Sequence, residues 1–292
     1  MSTEHIAQVL DQARSFLEDG KPLHAMQLYH RLLQDDPHRS PIYVQLATLY
    51  GEMELHGPAE RLLRHAVRSA PRDADVMLSL ADVLLAQGRY GQAAHWYGRA
   101  RIPGQVRTHY CLALCYLRTG RTAAAERELR LALRMRPALP AAHELLAEIM
   151  ILRRQYRGAI DELREAFKRN PYSGSAHRLL GMALLGMHQS AEALEELQLA
   201  VDINPEDSEA WSLCGETLIR LRRFREAEYY LERALALDPR CADAATSLGY
   251  LHLHSGHRQE ALKAFEAALR MQPGHTRALD GKLHIRLLSQ RS

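Results

Sequence analysis

Residues 196–205 read ELQLAVDINP, and the phrase returns as ELRLALRMRP at 128–137, ELREAFKRNP at 162–171 and LERALALDP at 231–239. Each copy runs apolar residues, at the three-to-four spacing of an amphipathic helix, into a proline. Proline lacks an N–H and fixes φ, so the helix stops there. The prolines act as a ruler. Pro37, Pro71, Pro103, Pro137, Pro171, Pro205, Pro239 and Pro273 are 34 residues apart, except for the 32 between Pro71 and Pro103. Counting back from them sets frames that begin at 6, 40, 74, 106, 140, 174, 208 and 242. A fixed period of this length marks a stack of similar supersecondary units.

Two positions of the frame are always small. The eighth is Ala13, Ala47, Ala81, Ala113, Ala147, Gly181, Gly215 or Gly249, and the twentieth is Ala25, Ala59, Ala93, Ala125, Ala159, Ala193, Ala227 or Ala261. Small residues at two facing points let two helices approach closely while larger apolar neighbours fill the flanks. Each unit therefore reads as a helical hairpin, with Gly88, Gly120 and Gly256 as stops between its helices.

These residues resemble the tetratricopeptide repeat (TPR) family. Trp211, Gly215, Ala227, Leu231, Ala234 and Pro239 match its signature in one unit, and Leu112, Ala113, Tyr116, Ala125, Leu129, Ala132 and Pro137 match it in another. Departures are mostly apolar or small, such as Cys214 where the family prefers Leu, plus the short third unit. The resemblance implies an all-α, right-handed superhelical solenoid of TPR hairpins. Eight repeats would occupy residues 1–275, and a C-terminal capping helix and tail would occupy 276–292. In TRALDGKLHIRLLSQ (276–290), Leu279, Leu283 and Leu287 share one face while Arg277, Lys282 and Arg286 lie elsewhere, which suits a solvating cap. The short third unit ends in RARIPGQV, where adjacent Pro103 and Gly104 should truncate its second helix and kink the chain near 101–106.

In the family it resembles, first helices line an inner wall that takes partners. Here the inward positions are Tyr110, Leu114, Leu117 and Arg118; Glu144, Glu148 and Ile151; Arg178, Met182 and Leu185; Glu216, Ile219 and Arg220; then Tyr250 and Leu253. Apolar anchors rimmed by Arg and Glu suit a peptide segment or a partner helix. The alternative for each aliphatic residue is packing against the next repeat. Two partner modes of the family rest on inner-helix Asn, either in a clamp for a terminal carboxylate or in a ladder along a peptide backbone. Asn170 and Asn204 both stand directly before turn prolines, so neither mode has its residues.

Composition narrows the functional classes. The chain is 292 residues long, 47% hydrophobic and 25% charged, with a net charge of +3, which suits a folded domain without a concentrated basic footprint for nucleic acid. Arginine exceeds lysine 34 to 4, which is read as compositional bias before a recognition surface. No leader pattern opens the sequence and no apolar run is long enough to span a bilayer, so a cytoplasmic protein without membrane insertion is expected. Four cysteines suit a reducing compartment.

Chemistry has little support in the residues. His109, Cys111 and Cys115 lie within two helical turns, but His109, His143 and His177 recur at the frame position of Trp211 and read as packing residues. No metal, cofactor, phosphate loop or nucleophile elbow is expected, and no enzyme. The reading is a noncatalytic adaptor or scaffold for a protein or peptide partner. The alternative is self-assembly through terminal repeats or the outer face, where Tyr229 and Tyr230 are candidates.

Overall fold

The computed structural model describes residues 3–36, 40–100 and 105–289. They form seventeen α-helices and, among the described residues, no strand. The chain divides into two compact units at Pro137. The N-terminal unit holds α1 (Thr3–Glu18), α2 (Pro22–Asp35), α3 (Ser40–Glu52), α4 (His56–Ser69), α5 (Ala74–Ala86), α6 (Tyr90–Arg99), α7 (Val106–Arg118) and α8 (Thr122–Met135). The C-terminal unit holds α9 (Pro140–Leu152), α10 (Tyr156–Phe167), α11 (Gly174–Gly186), α12 (Ser190–Ile203), α13 (Ser208–Arg220), α14 (Phe224–Leu237), α15 (Ala242–His254), α16 (Arg258–Met271) and α17 (Thr276–Ser289). Within each unit an odd-numbered helix packs against the even-numbered helix that follows it, and α17 packs against α15 and α16.

The small residues explain the closeness of each pair. Ala25, Ala59, Ala93, Ala125, Ala159, Ala193, Ala227 and Ala261 are fully buried. A Cβ at Gly215 would stand 2.6 Å from the Leu231 side chain, and one at Gly249 would meet Phe265 at the same distance. The frame's twenty-fourth position supplies the large counterpart. It is Tyr29, Leu63, Tyr97, Leu129, Leu163, Leu197, Leu231 or Phe265, each buried between the helices of its hairpin.

Each hairpin turn needs one residue with positive φ. Gly20, Gly88, Gly120 and Gly256 supply it without a Cβ penalty, whereas Glu54, Arg154, His188 and Arg222 occupy it at φ 58–62°. Where a Trp would stand in the signature, His109, His143 and His177 place Nδ1 at 2.6, 2.7 and 2.7 Å from Glu128, Glu162 and Glu196 on the paired helix. Trp211 makes the corresponding contact with the Tyr230 ring, at 5.1 Å. These histidines are thus polar ties between two helices as well as packing residues.

Three sequence expectations meet the structure differently. The expected kink near 101–106 falls mostly on residues 101–104, which lie outside the described residues; beside them α6 is short at 10 residues. Leu117 and Leu185 were expected on an open wall, but both are 6% exposed. They face the helix packing and offer no accessible anchor. In α17 Leu279, Leu283 and Leu287 share one face as the spacing suggested, and that face points outward while Ala278, Gly281 and Ile285 are buried. The reason is steric. Phe265 lies against Gly281 closer than any Cβ allows, so only the small face of α17 fits there.

Candidate partner-binding face

In the N-terminal unit the first helices α3, α5 and α7 line an open cavity of about 550 Å³. Asp73 caps α5 by accepting the backbone N–H of Asp75 and Val76, which fixes the start of that wall. One turn further into α5, Leu78 lines the cavity, and Asp82 follows at the next. The buried position of the third hairpin is Tyr97 rather than Leu, and its hydroxyl crosses to donate to Asp82 at 2.5 Å. Arg107, in the first turn of α7, reaches the other oxygen of Asp82 at 2.9 Å. Burial raises the Tyr97 hydroxyl far above the ordinary phenol range, with Cys111 and Asp82 adding to it, so this donor keeps its proton.

Asp82 is therefore fixed from both sides, while Arg107 keeps 75% of its side chain in solvent. Val44 and Leu78 add apolar surface, and Asp73 and Asp75 add negative charge. A second hollow of about 390 Å³ shares Ser79, Asp82 and Arg107 with the first and continues to Thr48 and His56. Gln45 Oε1 and His56 Nδ1 are buried with no hydrogen-bond partner among the described residues, so the lining carries unmet polar capacity. Tyr110 and Leu114 follow Arg107 at helical spacing and are half-buried, and Arg118 is exposed.

The C-terminal unit treats the same helix positions differently. Arg178 is closed between Asp207 at 3.0 Å and Glu209 at 2.7 Å, and touches the Met182 sulfur. Glu144 accepts from Ser173 and Ser175. Glu216 accepts from Arg220 and Arg277, and the Arg277 guanidinium lies over the Tyr250 ring. Loss of solvent around Glu209 lifts its carboxyl above the usual range; Arg178 opposes the rise, and Asp207, Asp243 and Glu148 add to it. Its side chain retains 57% exposure, so screening blunts the effect. Glu148, Met182, Ile151, Ile219 and Tyr250 are half-buried on these helices.

Sequence reasoning began its wall at Tyr110 and so missed Val44, Leu78, Asp82 and Arg107. Counting the same frame positions in the second and third repeats would have found Val44, Leu78 and Asp82. Nothing in the sequence could show that the hydroxyl of a core tyrosine emerges beside Asp82.

Reactive groups are quiet. Burial pushes the Cys115 and Cys214 thiols up to about 12 and raises Cys111, so none is a ready thiolate. Among the described residues no three His, Cys, Asp or Glu side chains converge on a metal position, and no helix is long and apolar enough to cross a membrane.

Tetratricopeptide repeat models match residues 44–106 and 215–276, and residues 84–149 and 150–216, together spanning 44–276. The chain belongs to the tetratricopeptide repeat family. Proteins of this family generally mediate protein–protein contacts, and the repeat fold generally serves as a noncatalytic scaffold. Among solved structures, this TPR chain is similar to one in the APC/C hetero-tetramer Cut9-Hcn1, with a TM-score of 0.73 and 16% identity. That match covers 95% of this chain and 55% of the other, so the chain spans about half the length of that relative. Yeast Tom70 matches with a TM-score of 0.59 and 16% identity over 94% of this chain and 60% of its own. TTC0263, a thermophilic TPR protein of Thermus thermophilus, matches with a TM-score of 0.56 and 22% identity over 63% of this chain and all of its own. At these identities the likeness is one of fold. No curated protein sequence matches the chain.

Proposed function

We propose that this TPR chain is a noncatalytic adaptor that holds a peptide segment or partner helix against its first helices, anchored in the cavity of the N-terminal unit. The observation that carries this reading is the Tyr97–Asp82–Arg107 arrangement, a carboxylate fixed from both sides beside apolar Val44 and Leu78. A preorganised polar group next to an apolar hollow sets a partner's register while the hollow supplies affinity. Three carboxylates against one guanidinium favour a segment that pairs apolar with basic side chains. Tyr110, Leu114 and Arg118 extend this surface along α7. In the C-terminal unit, Glu144, Glu148, Ile151, Arg178, Met182, Glu216, Ile219, Arg220 and Tyr250 form a second, stiffer contact surface.

Capture from native lysate tests the reading. The intact chain is compared with a Leu78→Glu, Arg107→Glu variant whose fold is checked by circular dichroism. Both positions lie on the cavity lining, and loss of the captured partner from the folded variant is the expected result. Equal capture would contradict the site.

A further inference from the structure

Charge in the N-terminal cavity is unevenly committed. Asp73, Asp75 and Asp82 all line it, and two of them are already engaged. Asp73 accepts the first N–H groups of α5, and Asp82 takes the Tyr97 hydroxyl on one oxygen and Arg107 on the other. Asp75 is different. Its backbone bonds to Asp73 and Ser79, but its exposed carboxylate has no hydrogen bond or ion pair among the described residues. An anion on a concave wall draws an arriving cation more strongly than one on an open surface.

A second, independent feature belongs to the same lining. Gln45 Oε1, on α3, is buried and accepts no hydrogen bond among the described residues. Buried acceptors are nearly always satisfied, so one left unmet beside a cavity calls for a donor from outside the chain. Lysine and arginine heads carry several N–H donors and no acceptor. Between Gln45 and Asp75 the wall turns apolar, because Val44 and Leu78 stand 34 residues apart, at equivalent places on α3 and α5. Asp75 and Leu78 are neighbours on one helix face.

The neutral groups of the lining decide the conformation of the occupant. Gln105 Oε1 already accepts from Thr108, which leaves its amide NH2 to donate, and Arg107 keeps most of its donors in solvent. A helix brings its main-chain groups already bonded to one another, so these donors have little to meet. An extended segment leaves its main-chain carbonyls free. The second hollow, reached through Ser79, Asp82 and Arg107, continues the path as far as Ala86. From Asp75 to Ala86 the α5 wall runs roughly 16 Å, the length of about five extended residues.

We propose that the cavity takes a short extended segment with one lysine or arginine seated at Asp75 and donating to Gln45, and an aliphatic residue one or two places along seated on Val44 and Leu78. The inference rests on the reading that this cavity anchors the partner, and adds the partner's chemistry and conformation. One uncommitted carboxylate sets one cation per segment, and an acidic residue at that place is repelled.

Selection from a random hexapeptide library against the full chain tests this, with fluorescence anisotropy of the selected peptides. Peptides taken by the wild-type chain should carry Lys or Arg within two places of Leu, Ile or Val, and added salt should weaken them. Asp75→Asn keeps the side-chain shape and should bind them about three- to tenfold more weakly. Asp75→Lys should instead select an acidic residue at the same place. Asp75 is exposed, so both variants should fold, which circular dichroism checks. Leu78→Glu should bind none of the peptides. Selected peptides without a basic residue, or the same basic preference in Asp75→Lys, would overturn the inference, and the cavity would still stand as the anchor if Leu78→Glu fails to bind. Peptides that bind Leu78→Glu as tightly as wild type would overturn both. A library that yields nothing would overturn the extended segment and leave the cavity to a folded helix.

Discussion

In the N-terminal unit Arg107 leans on one carboxylate and keeps most of its side chain in water, whereas in the C-terminal unit Arg178 is 19% exposed and closed between Asp207 and Glu209. The hairpins around both are built alike, from buried alanines at one frame position and one large buried residue at another. The difference is confined to the first-helix positions that the hairpin does not use. Packing requirements fix the repeated positions, so variation collects where no packing rule applies. In one unit it has produced an open cavity with partly committed charge. In the other it has produced ion pairs that stiffen the wall.

The shared scaffold is open to the strongest test. Leu63→Ala in the N-terminal unit and Leu163→Ala in the C-terminal unit remove equivalent, fully buried side chains. Each should cost about 2–5 kcal/mol, with hydrogen exchange rising mainly in the unit that carries the change. Similar losses would confirm a common core, and a large disparity would break the comparison at its base. The two arginines should then separate. Arg178→Ala strands two carboxylates and should cost about 1–3 kcal/mol in urea denaturation. Arg107→Ala loses an exposed pair and should cost under about 1 kcal/mol.

Acidification should move two sites, Glu60 in α4 and Glu209 in α13, in opposite directions. Burial disfavours the charged form of Glu60 in α4, but hydrogen bonds from Arg64, Arg89 and Gln87 outweigh it and hold its carboxyl below the usual range. Its contribution is present above the ordinary glutamate value, about 4.3 to 4.5, and is lost as pH falls through the lowered value. Glu209 is raised, so its contribution is full below the ordinary value and is lost as pH rises through the raised one. Residue-resolved hydrogen exchange between mildly acidic and strongly acidic pH should show protection lost around Glu60 in α4 before it is lost around Glu209 in α13. The smallest effect concerns the turns. Glu54→Gly and Arg154→Gly relieve a left-handed backbone and should each stabilise their unit by about 0.5–1 kcal/mol in thermal unfolding. Stabilisation in one unit only would show that the turns are not equivalent.

The hairpins were legible because helix packing forces a period: prolines, paired small residues and apolar spacing agree over the whole repeat. Orientation within a helix was harder to read. The α17 sequence carries two plausible stripes, and the outward turn of Leu279, Leu283 and Leu287 was decided by the room that Phe265 leaves at Gly281. Leu117 and Leu185 failed as wall residues for a similar reason, since one step around a helix separates a groove from a core. The histidines show the reverse error. Their packing role was visible in the repeat, but the glutamates that face them lie 19 residues away on another helix.

The most direct test of the account measures a captured partner's affinity for two variants side by side. One carries Leu78→Glu and Arg107→Glu in the N-terminal cavity, and the other carries Met182→Glu and Arg220→Glu on the C-terminal wall. Anchoring in the N-terminal cavity predicts at least about tenfold weaker binding for the first, near 1.4 kcal/mol, and a markedly smaller change for the second. Full affinity in the first variant, with loss in the second, would contradict it.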